Sequence, residues 1–216
     1  NPECFKSMDQ ECFKSMDLPT ITVVIVMGAI GSGKSTAGRL LEKSDPDRFT
    51  HLDGDVMGLA PGTISKFGYQ RNAYSIWCIV KIILQGKIPV ISCGGGILFD
   101  RKGSCIMVDK IKQILNVNTN IIVIKTNISY DNLTAVETAI IDRVERGSWE
   151  LPKKFSNVSS FAYFIAERSS MNIQFYDMLI DIASHIETIS PITPETYSPD
   201  YVIDFSLLIE KIPVQP

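Results

Sequence analysis

Histidine is nearly absent from the 216-residue sequence, with only His51 and His185, and no two of the five cysteines are spaced C-x-x-C. That combination excludes a histidine-rich metal centre and a zinc site, and the odd cysteine count argues against a disulfide scaffold. Cys4, Cys12, Cys78, Cys93 and Cys105 are expected to be reduced thiols packed as small apolar groups. Long hydrophobic runs are missing too. The clearest apolar stretch, Ile21–Met27, is far shorter than the ~20 residues of a membrane-spanning helix. The first twenty residues are mixed and charged, unlike a secretory signal. The start at Asn1 rather than Met reads as a fragment or a processed form. A surplus of either charge is lacking as well, with 21 Lys and Arg against 24 Asp and Glu and a net charge of -3. Such a chain does not coat duplex nucleic acid, which takes many cationic contacts to phosphate, although gripping one strand end stays open to it. The expectation is an intracellular protein, cytoplasmic or nuclear, with no membrane partner.

What is present begins with an octad given twice, Glu3–Gln10 and Glu11–Leu18. Two such units are too short and too few for a solenoid, and the repeat is assigned no function. Residues 1–19 are expected to be a flexible tail and residues 20–216 one domain. Within it, Ile21–Met27 has the β-branched character of a strand buried on both faces of a parallel sheet. The pattern then predicts a helix from Lys34, a short strand over Arg48–Leu52, a loop over Pro61–Phe67 and an amphipathic helix over Tyr69–Gln85 stopped by Gly86. Further strands are expected at Ile88–Cys93 and Asn120–Thr126, and helices around Lys110–Leu115 and over Leu133–Glu145. Ser159–Ile189 reads as mostly helical and Tyr201–Leu208 as a last strand. Strands alternating with helices give an α/β fold, doubly wound, with a parallel sheet, helices on both faces and a helical lid.

Four features carry chemistry. Gly28-Ala29-Ile30-Gly31-Ser32-Gly33-Lys34-Ser35-Thr36 fits the phosphate-loop pattern G-x-x-x-x-G-K-[ST], with a buried strand before it and a helix after. Glycines let successive backbone N–H groups turn inward on a phosphate at a helix N-terminus. Lys34 then reaches the β- and γ-phosphates of ATP or GTP, and Ser35 offers its hydroxyl to Mg²⁺. The second feature is Asp53-Gly54-Asp55 after the second strand. Asp55 is the candidate base for an acceptor hydroxyl and Asp53 the candidate on the metal side; an Asx turn is the structural alternative. Third, Arg143 and Arg146 stand three apart just before Gly147, suited to a lid that offsets charge on the transferring phosphate, or simply to a solvated helix end. Fourth, Gly94-Gly95-Gly96 follows the third strand and admits close approach of a substrate, or is a plain connection. The N-K-x-D element of GTPase switches is absent, and an AAA-type motor needs a larger module.

These residues resemble known families. The phosphate loop, LDGD and ISCGGG together are similar to small-molecule P-loop kinases, shikimate kinase above all, in which Arg71 would match a substrate-carboxylate ligand. The segment Ala139–Trp149 resembles instead the R-V-x-x-R-G-x-N-H-Q lid of the kinase domain in fungal-type tRNA ligases, one residue shorter and with Trp149-Glu150 where N-H would stand. Ser198-Pro-Asp200 through Asp204 resembles the S-P-D-x-x-F-D segment that closes that domain. This likeness covers about residues 21–209 and implies a polynucleotide 5′-hydroxyl kinase, with catalytic Lys34, Asp55, Arg143 and Arg146 and with GTP favoured as donor. The family's D-R-N-N-H after the third strand is replaced here by the triple glycine, and no ligase lysine domain or phosphodiesterase H-x-T pair is present. A shikimate- or gluconate-type kinase acting on a small hydroxy acid, and a nucleotide-sensing module without transfer, stay open as alternatives. The chain continues beyond the point at which shikimate kinases stop. There Phe155, Phe161, Tyr163 and Phe164, with Lys153, Lys154 and Arg168, would stack on a terminal nucleotide, or Phe161, Phe164 and Ile165 form a core stripe.

Overall fold

In a computed structural model, residues 18–54, 68–92, 106–126, 133–147, 149–170, 173–192 and 202–214 are described. The octad up to residue 17, Asp55, the Pro61–Phe67 loop, the triple glycine and Ser198–Asp200 lie outside the described residues, as do all the cysteines except Cys78. Five strands, β1 (Thr20–Met27), β2 (Phe49–Asp53), β3 (Ile88–Ser92), β4 (Asn118–Thr126) and β5 (His185–Ile189), pair in the order β2-β3-β1-β4-β5. Every pairing is parallel: Val24 faces Val90 and Ile122, His51 faces Val90, and Ile124 faces Glu187. The β-branched run of β1 takes the central position, and seven of its eight residues are buried, as a strand covered on both faces requires.

Strand alternation then sorts the core into two layers. Val24, Val26, Val90, Ile122 and Ile124 face one side, where they pack on Ala37 and Leu41 of α1 (Lys34–Ser44) and on Leu208 of the C-terminal helix. Val23, Ile25, Ile91, Ile121 and Val123 face the other side. That face is covered by α2 (Gly68–Leu84), α3 (Ile106–Leu115), α4 (Leu133–Glu145), α5 (Val158–Ser170) and α6 (Ile173–Ile182). The fold is therefore α/β with helices on both faces, as the alternation of patterns implies.

Two expectations need correction. The stretch read as helical to Ile189 is two helices and a strand. His185–Ile189 alternates half-buried and exposed residues, a period of two that a helix does not have, and its edge position beside β4 lets it stay polar on one side. The expected last strand at Tyr201–Leu208 is instead an irregular stretch leading into α7 (Ser206–Lys211). The β-branched and aromatic residues there serve as anchors, with Phe205, Leu208 and Ile212 buried against α1 and β2.

Arg48 ties this terminal helix down. Its guanidinium donates to the carbonyl of Ile209 across 3.2 Å and to that of Ile212, and it stacks 5.4 Å from the centre of the Phe49 ring. Cations suit the carbonyl-rich end of a helix. Arg48→Ala is expected to lower the unfolding free energy by about 1.5–3 kcal/mol, the scale of hydrogen bonds to a charged group. Amide exchange over residues 206–212 should speed up before exchange in β1 does; uniform protection in both segments would show that Arg48 holds nothing.

Candidate active site

The carboxyl edge of the sheet holds the phosphate loop, and Asp53 and Arg143 lie beside it. Between β1 and α1 the chain turns through Gly31 and Gly33, both at φ 84°. Gly33 is the residue before the first helical turn, so the left-handed conformation there is what points the first N–H groups of α1 into the loop. Lys34 leans back over this loop, its Nζ donating to the carbonyl of Ala29 across 2.9 Å.

The loop is held from three directions. From below, the Thr126 hydroxyl at the end of β4 lies 2.6 Å from the buried Ser32 hydroxyl and 3.3 Å from the Met27 carbonyl. A Cβ on Gly28 would sit 1.6 Å from Thr126 Oγ1, so only glycine permits this approach. From the β5 side, the Ile192 N–H donates to the Ser32 carbonyl across 3.2 Å, and Ile192 packs against Gly33. From the far side comes α4. A Cβ on Gly31 would lie 2.9 Å from the Cβ of Ala139 and 3.6 Å from Nε of Arg143. Arg143, predicted to act on the phosphate, thus lies directly against the phosphate loop.

Arg143 is half-buried, and loss of water lowers its pKa from the ordinary guanidinium value. Gly147, at φ 71°, ends α4 with its N–H on the Val144 carbonyl, and the left-handed turn sends the chain back over the helix end. The Trp149 N–H consequently donates to the Arg143 carbonyl across 3.0 Å, and the guanidinium carbon lies 5.2 Å from the centre of the indole ring. Trp149 in turn packs on Phe161. The tryptophan that interrupts the lid pattern is therefore the surface on which Arg143 rests. Arg146 stands exposed in the turn beyond, three residues after Arg143.

A second network joins β2, β3 and α1. His51 Nε2 and Ser92 Oγ are 2.7 Å apart, and Ser92 Oγ donates to Ser35 Oγ across 3.4 Å. Burial holds the His51 pKa below its usual value, against the opposing charge of Asp53. Asp53 is the register partner of Ser92, which sets its carboxylate at the same edge as Ser35. Asp55, the expected base, lies outside the described residues, and so does the Arg71 side chain.

The aromatic segment reads differently from the stacking surface considered for it. The Phe155 ring lies 5.1 Å from Phe161 and 5.3 Å from Phe164, and Lys154 sits over both Phe155 and Phe164 at 5.0 and 4.9 Å. Phe161 is buried. Phe161 is thus core, Phe155 and Phe164 are half-buried beside it under Lys154, and Tyr163 stays exposed.

The strand order, the glycine loop leading into α1 and the docked arginine together decide the architecture. The fold is a five-stranded parallel α/β sheet with a phosphate loop between β1 and α1. No family model matches the sequence, and no curated protein does. Among solved structures the chain is similar to a fungal RNA kinase at 18% identity, covering 85% of this chain and 78% of that one, with a TM-score of 0.48. It is similar as well to a gluconokinase from Sinorhizobium meliloti 1021 at 15% identity, covering 80% of this chain and 84% of that one, with a TM-score of 0.42. In the Pnkp1/Rnl/Hen1 RNA repair complex a chain matches at 14% identity, covering 88% of this chain and 52% of that one, with a TM-score of 0.48. Among the described residues no helix is long and apolar enough to cross a membrane.

Sequence reasoning passed over His51, Thr126 and Ile192. One signal was available for the first: Gly38 lies inside a helix, where glycine usually marks close approach of a neighbour. That neighbour is the His51 ring, whose Cδ2 would be 2.3 Å from a Cβ on Gly38. In Gly38→Ala the helix gains about 1 kcal/mol of propensity, but the clash in a packed layer costs about 1–3 kcal/mol. A net loss of stability is expected in a denaturant titration, together with weaker nucleotide binding. A variant as stable as the parent would mean that the ring moves aside without cost.

Proposed function

We propose that this chain is a phosphotransferase that moves the γ-phosphate of ATP or GTP to the 5′-hydroxyl of an RNA end. The single observation that carries the reading is the Arg143 guanidinium, half-buried on Trp149 and set against Gly31 of the phosphate loop. A nucleotide sensor needs the loop alone; a cation placed where charge develops on a transferring phosphoryl group serves transfer. The RNA acceptor is supported by the likeness of Asp142–Trp149 to the tRNA-ligase kinase lid. A small hydroxy acid is favoured instead by the triple glycine after β3, and the acceptor test separates the two.

In this reading the backbone N–H groups of residues 28–36 hold the β-phosphate, and Lys34 turns from the Ala29 carbonyl to the β- and γ-phosphate oxygens. The Ser35 hydroxyl and the Asp53 carboxylate are hard oxygen donors at the carboxyl edge of the sheet, Asp53 as the last residue of β2 and Ser35 in the first turn of α1, a set that fits Mg²⁺, which keeps few protein ligands and takes the rest from phosphates and water. When bound, the ion would offset charge between the β- and γ-phosphates. Asp55 takes the proton of the acceptor hydroxyl as its oxygen bonds to the γ-phosphorus. The bond from that phosphorus to the bridging oxygen breaks, and the nucleoside diphosphate leaves. Arg143, with Arg146 beside it, balances the equatorial oxygens while this happens.

Transfer of labelled γ-phosphate to a 5′-hydroxyl oligoribonucleotide tests the scheme residue by residue. Lys34→Ala is expected to abolish transfer, and full activity in that variant would sink the mechanism. Arg143→Ala should lower kcat about 10²- to 10³-fold, as for loss of one preorganised donor, with donor affinity largely kept. Asp55→Ala should lose turnover while still binding nucleotide. A parent chain that binds nucleotide but never transfers phosphate would make it the sensor.

A further inference from the structure

An RNA acceptor needs a path for the strand behind its 5′ end, and the Phe155, Phe161 and Phe164 rings are taken up by one another and by Lys154. Among the described residues Tyr163 is exposed singly on α5, whereas α2 carries an exposed aromatic pair. Tyr74 and Trp77 are 42% and 57% exposed, their ring centres 6.1 Å apart and their planes within 23° of parallel. Lys81, one turn further, places its ammonium 5.4 Å from the centre of the Trp77 ring. The three lie on one stripe at i, i+3 and i+7. The opposite face, with Ile76, Ile79 and Ile82, is buried on the sheet, so core packing does not account for the stripe.

Three further observations choose an occupant. The 17-residue sequence of α2 contains no aspartate or glutamate, and its formal charges are Arg71 and Lys81, in a chain of net charge -3. The one charge on the exposed stripe is the Lys81 ammonium beside Trp77, which complements an anion. As the crossover between the parallel neighbours β2 and β3, α2 runs back along the sheet, and its first turns lie at the edge that holds the phosphate loop. From Tyr74 to Lys81 is about 10 Å along a helix axis, the length of about three stacked nucleotides at 3.4 Å each.

We infer that Tyr74, Trp77 and Lys81 form a stacking ladder on which the single-stranded RNA behind the reacting 5′ end lies. Aromatic faces take successive bases without regard to sequence, and the lysine meets a backbone phosphate. The inference rests on the RNA-acceptor reading above and adds the site that would separate a strand from a small acid: a metabolite has nothing to place there.

The test uses the full chain and a fluorescently labelled 5′-hydroxyl ten-nucleotide RNA, followed by anisotropy without nucleotide, alongside phosphate transfer to that RNA and to a dinucleotide. Trp77→Ala is expected to weaken RNA binding about ten-fold and to raise KM for the ten-nucleotide acceptor equally, with kcat and the dinucleotide KM unchanged. Trp77→Phe, which keeps a ring, should recover most of the affinity. Equal binding by Trp77→Ala and the parent overturns the ladder while leaving the kinase reading intact. So does an equal loss for the dinucleotide, which would make Trp77 a structural residue. A change of sedimentation in Trp77→Ala without a change in RNA affinity overturns it too, and assigns the stripe to a second copy of the chain. A parent chain that binds the RNA through Trp77 but phosphorylates only a small acid supports the ladder and overturns the acceptor reading.

Discussion

The buried hydroxyl of Ser32, 2.6 Å from that of Thr126, fixes the floor of the phosphate loop, and the remaining geometry follows from it. A loop built to present N–H groups inward turns its own carbonyls and small side chains outward, where they must find partners or lose stability. Here β4 supplies Thr126, the chain after β5 supplies the Ile192 N–H, and α4 supplies the surface of Ala139. Each partner arrives at the same edge because the strands are parallel and all end there. A parallel sheet is thus more than a way to bury β1: it delivers three separate chain segments to one loop.

The same economy governs the arginine. In the proposed reaction a guanidinium beside the phosphate is most useful when it has shed part of its water before substrate arrives, and Arg143 is half-buried. The cost of removing water from a cation is offset by the face of Trp149. Trp149 is fixed in its turn by the left-handed turn at Gly147 and by Phe161 in the core. Helix α5 therefore acts on the arginine indirectly, through Phe161, by holding the indole on which the guanidinium rests.

Much of this was legible in the sequence, and the reasons are particular. Ile21–Met27 reads as a central strand because nothing else buries seven consecutive β-branched or large apolar residues, and GAIGSGKS reads as its phosphate loop because each glycine answers a backbone requirement. Pattern failed at both ends of the C-terminal third. His185–Ile189 is an edge strand with a polar side, whose alternation is too short to stand out beside two helices. Residues 202–205 have strand composition but spend it on anchoring α7. The His51–Ser92–Ser35 link joins β2, β3 and α1 over 41 and 57 residues of sequence, and only the strand order brings them together. The aromatic stripe of α2 was readable by spacing, but its exposure was not, since that depends on which face of the helix the sheet takes.

The central claim is phosphoryl transfer to an RNA end, and one competition measures it most directly. Labelled γ-phosphate from ATP and from GTP is offered, with Mg²⁺, to a 5′-hydroxyl RNA oligonucleotide, shikimate and gluconate in the same vessel. The account predicts that the label appears on the RNA 5′ end. Label on either acid, with none on the RNA, would contradict it and make the triple glycine after β3 the better guide to the acceptor.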